Sequence, residues 1–163
     1  MSTHATGHLV TAAEFNAKKD QEIWVPVTGY ASGGGVTATA LSWQQSYPLA
    51  VLAASVDGAR MSFRCPSDFV SIVEAKIIIL PRVTDAAANL DIYSTYAAIG
   101  QNYQTHEANN TAATYNIATD VFFGVDVSAI LASLAANDIV GVRLSLGDAN
   151  DDVDVIGFYM KYA

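Results

Sequence analysis

Asp148, Asn150, Asp152 and Asp154 stand at alternate positions of one short stretch, with Asp151 between them. Calcium loops use positions 1, 3, 5 and 7 in this way, because alternate residues can turn their oxygens toward one centre. The pattern stops there. Position 6 is Val153 where an EF-hand needs Gly, and position 12 is Tyr159 where it closes the cage with Glu. The stretch therefore reads as a polar hairpin turn leading into a strand, and no tight metal site is expected. A second group of side chains suits recognition. Tyr103 and Tyr115 bracket a polar stretch that also holds His106, Asn109 and Asn110. Aromatic faces give stacking platforms, while amides and imidazole supply hydrogen bonds. Tyr103, His106 and Tyr115 are accordingly candidate ligand-binding residues. Trp24 and Trp43, on alternating strands, are expected in the core.

Catalytic chemistry finds little to work with. There is no G-x-S-x-G elbow, and His4, His8 and His106 are scattered. Cys65, the single cysteine, follows Arg64, which would lower a thiol pKa; a free Cys in a strand is otherwise a small core residue. One cysteine also excludes an intramolecular disulfide and a cysteine-based zinc cluster. The four glutamates, Glu14, Glu22, Glu74 and Glu107, lie in four different contexts, so no carboxylate pair for glycosidic cleavage stands out. Gly33-Gly34-Gly35 has neither the Lys nor the following helix of a phosphate loop. The expectation is a non-enzyme without a cofactor.

The elements that must position these residues are mostly strands. Leu9–Gln21 is the exception: Thr11 and Glu14 form a capping-box pattern among alanines, which predicts a short helix or docked arm over residues 1–21. From Glu22 onward the period is that of strands. Val36–Trp43 alternates, and Leu49–Ser55 and Ala59–Cys65 flank an Asp57-Gly58 turn signal that predicts a hairpin. Val70–Leu80 contains the β-branched run of a buried central strand, and Leu90–Ile99 alternates again. Residues 101–114 read as a long polar loop and Tyr115–Val127 as a further strand. One short crossover helix is predicted after Ser128 as N-cap, stopping at Asn137-Asp138. Ile139–Leu146 and Val153–Tyr162 are expected to close as a terminal hairpin. Eight or nine short strands without an internal repeat predict an all-β chain over residues 22–163: a jelly-roll-like antiparallel β-sandwich with one short helix and an N-terminal arm.

Composition bounds the partners. The chain has 163 residues, 52% of them hydrophobic and only 15% charged, with a net charge of −8. Such a chain folds, and its acidity argues against reading nucleic acid by phosphate contact. No apolar run is long enough to span a membrane. The first ten residues lack a basic region and an apolar h-region, which predicts no secretory signal and synthesis in a host cytoplasm. Charge is uneven. Residues 1–83 hold six acids and six bases, whereas residues 84–163 hold ten acids against Arg143 and Lys161. Val36–Leu41, Leu49–Ser55 and Tyr93–Ile99 carry no charge at all, as subunit contacts would.

The phrase Gly7-His-Leu-Val-Thr-Ala-Ala-Glu-Phe-Asn-Ala17 resembles the opening of bacteriophage structural proteins. Phe63–Phe69, Ala75–Leu80, Val125–Leu131, Asn137–Arg143 and Val155–Tyr162 resemble segments of uncharacterised phage jelly-roll proteins. The resemblance implies a non-enzymatic virion protein, a capsid decoration or a tail- or fibre-associated jelly roll. It would self-assemble as a homo-oligomer, a trimer preferred, and contact other virion proteins. The alternative is a lectin-like or receptor-binding module using residues 101–114.

Overall fold

A computed structural model describes residues 20–31, 42–44, 47–53, 57–111, 113–148 and 151–163. Their strands are β1 (Gln21–Pro26), β2 (Gly29–Ala31), β3 (Ser42–Gln44), β4 (Tyr47–Leu52), β5 (Gly58–Arg64), β6 (Ile72–Pro81), β7 (Asp85–Ala97), β8 (His106–Asn110), β9 (Thr114–Ile117), β10 (Phe123–Asp126), β11 (Ile139–Leu146) and β12 (Val153–Tyr162). Two antiparallel sheets result. One runs β10-β6-β12-β4-β3, with β1 also on β12; the other runs β2-β5-β11-β7-β8, with β9 also on β7. From β4 to β7, and again from β10 to β12, each strand lies in the sheet opposite its predecessor. That alternation makes the jelly-roll-like sandwich expected from the strand pattern.

Each sheet is organised by one long strand. β12 pairs along its length with β6, while its other edge is shared by β4 near Val153–Val155 and β1 near Gly157–Tyr162. β7 pairs with β11 on one edge and divides the other between β9 and β8. Period-two patterning sends one face of each strand inward. Val140, Val142, Leu144 and Leu146 of β11 meet Ala75, Ile77 and Ile79 of β6 in a common core. Phe63 stacks on the fully buried Phe158 at 4.9 Å between ring centroids. Burial of that kind is worth about 2 kcal/mol per large side chain. A bulge between Val155 and Gly157 of β12 resets its pleat, so Phe158, Met160 and Tyr162 still face inward.

Several sequence expectations give way to tertiary structure. The hairpin across Asp57-Gly58 does not form, because β4 and β5 belong to opposite sheets. Asp57 instead accepts the Ala53 amide at 3.1 Å and shapes a crossover. β11 and β12 likewise face each other across the core and are not a terminal hairpin. In both cases apolar alternation is satisfied equally by a partner beside the strand and by one across the core. The predicted loop 101–114 contains β8, in register with Ile92–Tyr96. Tyr115–Val127 splits into β9 and β10 on different sheets. The crossover helix is a four-residue 3₁₀ turn, Ser128–Leu131. Ser128 is not its cap: its hydroxyl accepts the Ala75 amide on β6, and Asp126 accepts the Ser128 amide at 2.9 Å. A helix this short has too few internal hydrogen bonds to resist such competition. It also ends at Leu131, well before the expected stop at Asn137-Asp138, where Asn137 instead takes a left-handed φ of 71° ahead of β11.

The first strand among the described residues, β1, includes Gln21, the last residue of the expected arm. The Tyr162 hydroxyl donates to Gln21 Oε1 at 2.9 Å, and Asp20 pairs with Lys161 at 2.8 Å. Residues 1–19 of the expected arm, with His4, His8, Glu14 and the capping box, lie outside the described residues, as do Gly33–Gly35 and Val36–Leu41. Two of the three uncharged segments read as subunit contacts are interior strands: β4 lies between β3 and β12, and β7 between β11 and β8. Their lack of charge is accounted for inside the molecule.

Candidate functional site

The outer face of the β2-β5-β11-β7-β8 sheet carries the side chains that alternate away from the core. Register sets them in rows. Ser62 on β5, Gly141 on β11, Thr95 on β7 and Glu107 on β8 form one row. Arg60, Arg143, Tyr93 and Asn109 form the next. Glycine at position 141 leaves the middle of the first row without a side chain. A Cβ there would meet Thr95 Oγ1 at 3.5 Å, an ordinary contact distance, so the strand does not itself demand glycine. The result is a groove of about 800 Å³, reaching from Thr28 and Gly29 past the two arginines to Tyr103 and Glu107. A contiguous depression of about 380 Å³ shares Ser62, Thr95, Gly141 and Tyr103 and continues to Ile99 and Ile139. Such a trough suits an extended chain better than a single small ring.

Tyr103 forms the wall where the two depressions meet. It is 72% exposed, on a connection that is hydrogen-bonded to itself. Gln101 accepts the Ala98 amide at 3.0 Å, Asn102 accepts the Gln104 amide at 2.9 Å, and the Thr105 hydroxyl donates to the Asn102 carbonyl at 2.6 Å. Asx-type turns of this sort fix a loop without a core beneath it. At the other end the Arg143 guanidinium lies 3.9 Å above the Tyr93 ring, a cation–π contact. Arg143 Nε is buried without a hydrogen-bond partner among the described residues, and Arg60 faces solvent. Glu107 is the single carboxylate among the groove residues.

The candidate residues read from sequence do not converge. Tyr103 lines the groove. His106 stacks on Tyr96 at 5.0 Å, on the core-facing side of its strand. Tyr96 in turn accepts the Ser133 amide and braces the crossover turn. Tyr115 packs edge-on against Phe123 at 6.1 Å, half-buried, and burial raises its pKa. The residues that sequence reasoning missed are Arg60, Tyr93, Thr95 and Arg143. Part of their signal was present: polar residues recur at alternate positions of Leu90–Ile99 and Ile139–Leu146, broken at Ser94, but nothing in the sequence says that β7 and β11 are neighbours.

The oxygen-rich stretch is committed to structure. Asp154, on β12, accepts Arg82 Nε at 2.8 Å, and Asp151 accepts the Asn89 amide at 2.7 Å. Burial, chiefly, pushes both carboxyls above their ordinary range, with Arg82 opposing this at Asp154. Asp152 gives its backbone carbonyl to the Arg82 amide, Asp148 engages in a polar contact, and Asn150 lies outside the described residues. Cys65 is buried, and desolvation together with Asp138 pushes its thiol up to about 11. Arg64 does not activate it, because the guanidinium is engaged with Asn137 Oδ1 at 2.9 Å.

The outer face of the other sheet carries a different surface. Trp24, expected in the core, is 51% exposed. Its indole lies on Gly157, where a Cβ would sit 2.8 Å from Trp24 Cζ2. Tyr47 and Phe122 stand nearby, edge to face at 5.5 Å, and with Pro26, Pro48, Ile78 and Ile156 they line an almost wholly apolar depression. Trp43 lies on β3 in register with Pro48.

No family model matches the chain, and no curated protein does. Solved structures do match in fold. The xylan-binding module CBM15 superposes with a TM-score of 0.50 at 15% identity, covering 89% of this chain and 98% of that one. A mutant of Xylanase10C from Cellvibrio japonicus, in complex with xylopentaose, gives a TM-score of 0.50 at 15% identity, covering 86% of this chain and 28% of that one. The chain thus has a jelly-roll-like β-sandwich fold similar to that of a xylan-binding module.

Proposed function

We propose that this chain is a non-catalytic carbohydrate-binding module whose ligand lies along the groove between Arg60 and Tyr103. The observation that carries this reading is the composition of the groove. It places the exposed face of Tyr103 beside hydroxyl, guanidinium and carboxylate groups on a rigid sheet, with no side chain on the floor at Gly141. A pyranose ring presents C–H bonds on its faces and hydroxyls around its rim, so it needs both kinds of partner at once. The fold shared with a xylan-binding module supports the same reading. A glycosidase needs two carboxyl groups roughly 5–10 Å apart across the scissile bond, and one glutamate does not supply them. Binding without cleavage is therefore the activity this face supports.

Affinity electrophoresis through gels containing xylan, cellulose, mannan or pectin tests the proposal. Retardation by at least one polysaccharide is expected, with loss on Tyr103→Ala. Migration unaffected by every gel would overturn the reading. The second reading is the structural one: a virion protein that self-assembles, a trimer preferred. The apolar depression around Trp24, Tyr47 and Phe122 favours it, because exposed apolar patches mark contacts between chains. Light scattering separates the two, since a monomer at high concentration leaves the assembly reading without support.

A further inference from the structure

We infer that the Arg60 end of the groove takes the carboxylate of an acidic sugar, so that the ligand is a uronate-bearing polysaccharide; this rests on the carbohydrate-binding reading above. Arg60 and Arg143 are cross-strand partners, directly opposite each other on the same face of β5 and β11. Like charges in that position repel and weaken the strand pair. The chain has eight basic residues against sixteen acidic ones, so a carboxylate close to two arginines would be easy to supply from within. Neither arginine forms an ion pair: those among the described residues go to Lys76, Arg82 and Lys161, and Asp91, diagonal to Arg143 on the same outer face, keeps its Oδ1 buried without a hydrogen-bond partner. Three cations among the described residues are thus neutralised, whereas the exposed Arg60 and the Arg143 guanidinium stacked on Tyr93 line the groove without an ion pair.

The geometry of the pair suits a planar anion. Arg143 is pinned in orientation by the Tyr93 ring at 3.9 Å, and its Nε is buried without an acceptor. A guanidinium fixed by stacking keeps its donors in one plane, the arrangement that grips a carboxylate in two parallel hydrogen bonds. Tyr103 lies along the same trough as the arginines, so a sugar chain stacked on it would bring a substituent toward them. The far end, at Ile99 and Ile139, is apolar, which gives the groove a direction: acidic residue toward Arg60, neutral residues toward Ile99.

Calorimetry on the full chain with two oligosaccharides tests this. One is a xylo-oligosaccharide bearing a glucuronic acid; the other is the same molecule with its carboxyl reduced to a primary alcohol. The acidic form is expected to bind at least about tenfold more tightly, the yield of one charge-assisted pair. Arg60→Gln, an exposed substitution that leaves the strand intact, is expected to bring that ratio close to one. Equal affinity for both forms would overturn the inference while leaving carbohydrate binding in place. Failure of both forms and of neutral xylan to bind would remove the underlying reading along with it. A sulfated xylo-oligosaccharide bound as tightly as the uronate would overturn the carboxylate assignment.

Discussion

The two outer faces of this sandwich solve opposite problems. On the sheet built around β12, polar groups are paired and aromatic groups are exposed. Lys76 is bonded to Glu74, Lys161 to Asp20 and Arg82 to Asp154, while Trp24, Tyr47 and Phe122 stand in the open. On the sheet built around β7, the aromatic Tyr93 is covered by Arg143, and Arg60 and Arg143 form no ion pair among the described residues. Exposed apolar surface tends to be covered by another apolar surface; unpaired cations on a concave floor invite a solute. The two faces therefore differ in what a substitution should do: stability is at stake on the first, binding on the second.

The strongest test of that contrast uses two glycines. At Gly157 a Cβ would lie 2.6 Å from the Val25 carbonyl oxygen and 3.2 Å from Pro26 Cα, so backbone as well as the Trp24 ring would have to move. Gly157→Ala should push β1 off β12 and cost about 2–3 kcal/mol in urea denaturation. A melt like that of the parent would show that β1 does not pack as described. At Gly141 the nearest neighbour of a Cβ is a hydroxyl at ordinary contact distance. Gly141→Val should leave stability unchanged or slightly raised, since Val favours strands. It should nonetheless cut polysaccharide affinity by roughly thirtyfold, about 2 kcal/mol, by filling the floor. Binding that survives a filled floor would place the ligand elsewhere.

A second pair of substitutions compares two exposed aromatic residues, one on each face. Tyr103→Ala removes a wall that touches little else, so stability should change by less than about 0.5 kcal/mol. Affinity should fall about tenfold, near the upper end of what a single stacking contact contributes. Trp24→Ala should do the reverse, lowering stability by about 1–2 kcal/mol through lost packing on Gly157 and leaving glycan affinity within twofold. If Trp24→Ala abolished binding while Tyr103→Ala did not, the ligand face would be the apolar one.

How much of this was legible beforehand follows from what each feature depends on. The fold class rested on local information, namely alternation in segments such as Ile139–Leu146 and turn signals between them, and the sandwich has that form. Pairing was not local. Asp57-Gly58 reads as a hairpin turn, yet the strands on either side belong to different sheets. The groove inherits that difficulty, because Arg60, Tyr93 and Arg143 are brought together only by the order β5-β11-β7. Tyr103 was legible because an aromatic residue in a polar connection has no core to enter. His106 and Tyr115 looked the same in sequence but sit on β8 and β9, where packing against Tyr96 and Phe123 takes them from the groove. Trp24 was misplaced for a related reason: alternation along β1 gives two faces, and the bulge in β12 leaves Val25 as the inward residue.

The smallest expected effect is the most discriminating, because its sign differs between the faces. Exposed ion pairs contribute between zero and about 1 kcal/mol, and Lys161 with Asp20 is such a pair. Lys161→Gln should therefore lower stability by a few tenths of a kcal/mol, within what guanidinium-free urea titration resolves in replicate. Arg60→Gln removes a charge of the same sign from another strand position, and a generic loss of surface charge predicts the same small drop. The position opposite Arg143 predicts a rise of about 0.2–1 kcal/mol, because a repulsion disappears and no partner is lost. Added salt should reduce that gain, since screening weakens the repulsion already present in the parent. A rise in stability paired with a loss of acidic-glycan affinity is the signature of a cation held in place for its ligand. A fall in stability on Arg60→Gln would mean that the guanidinium is engaged within the fold, and the two faces would then differ in aromatic exposure alone.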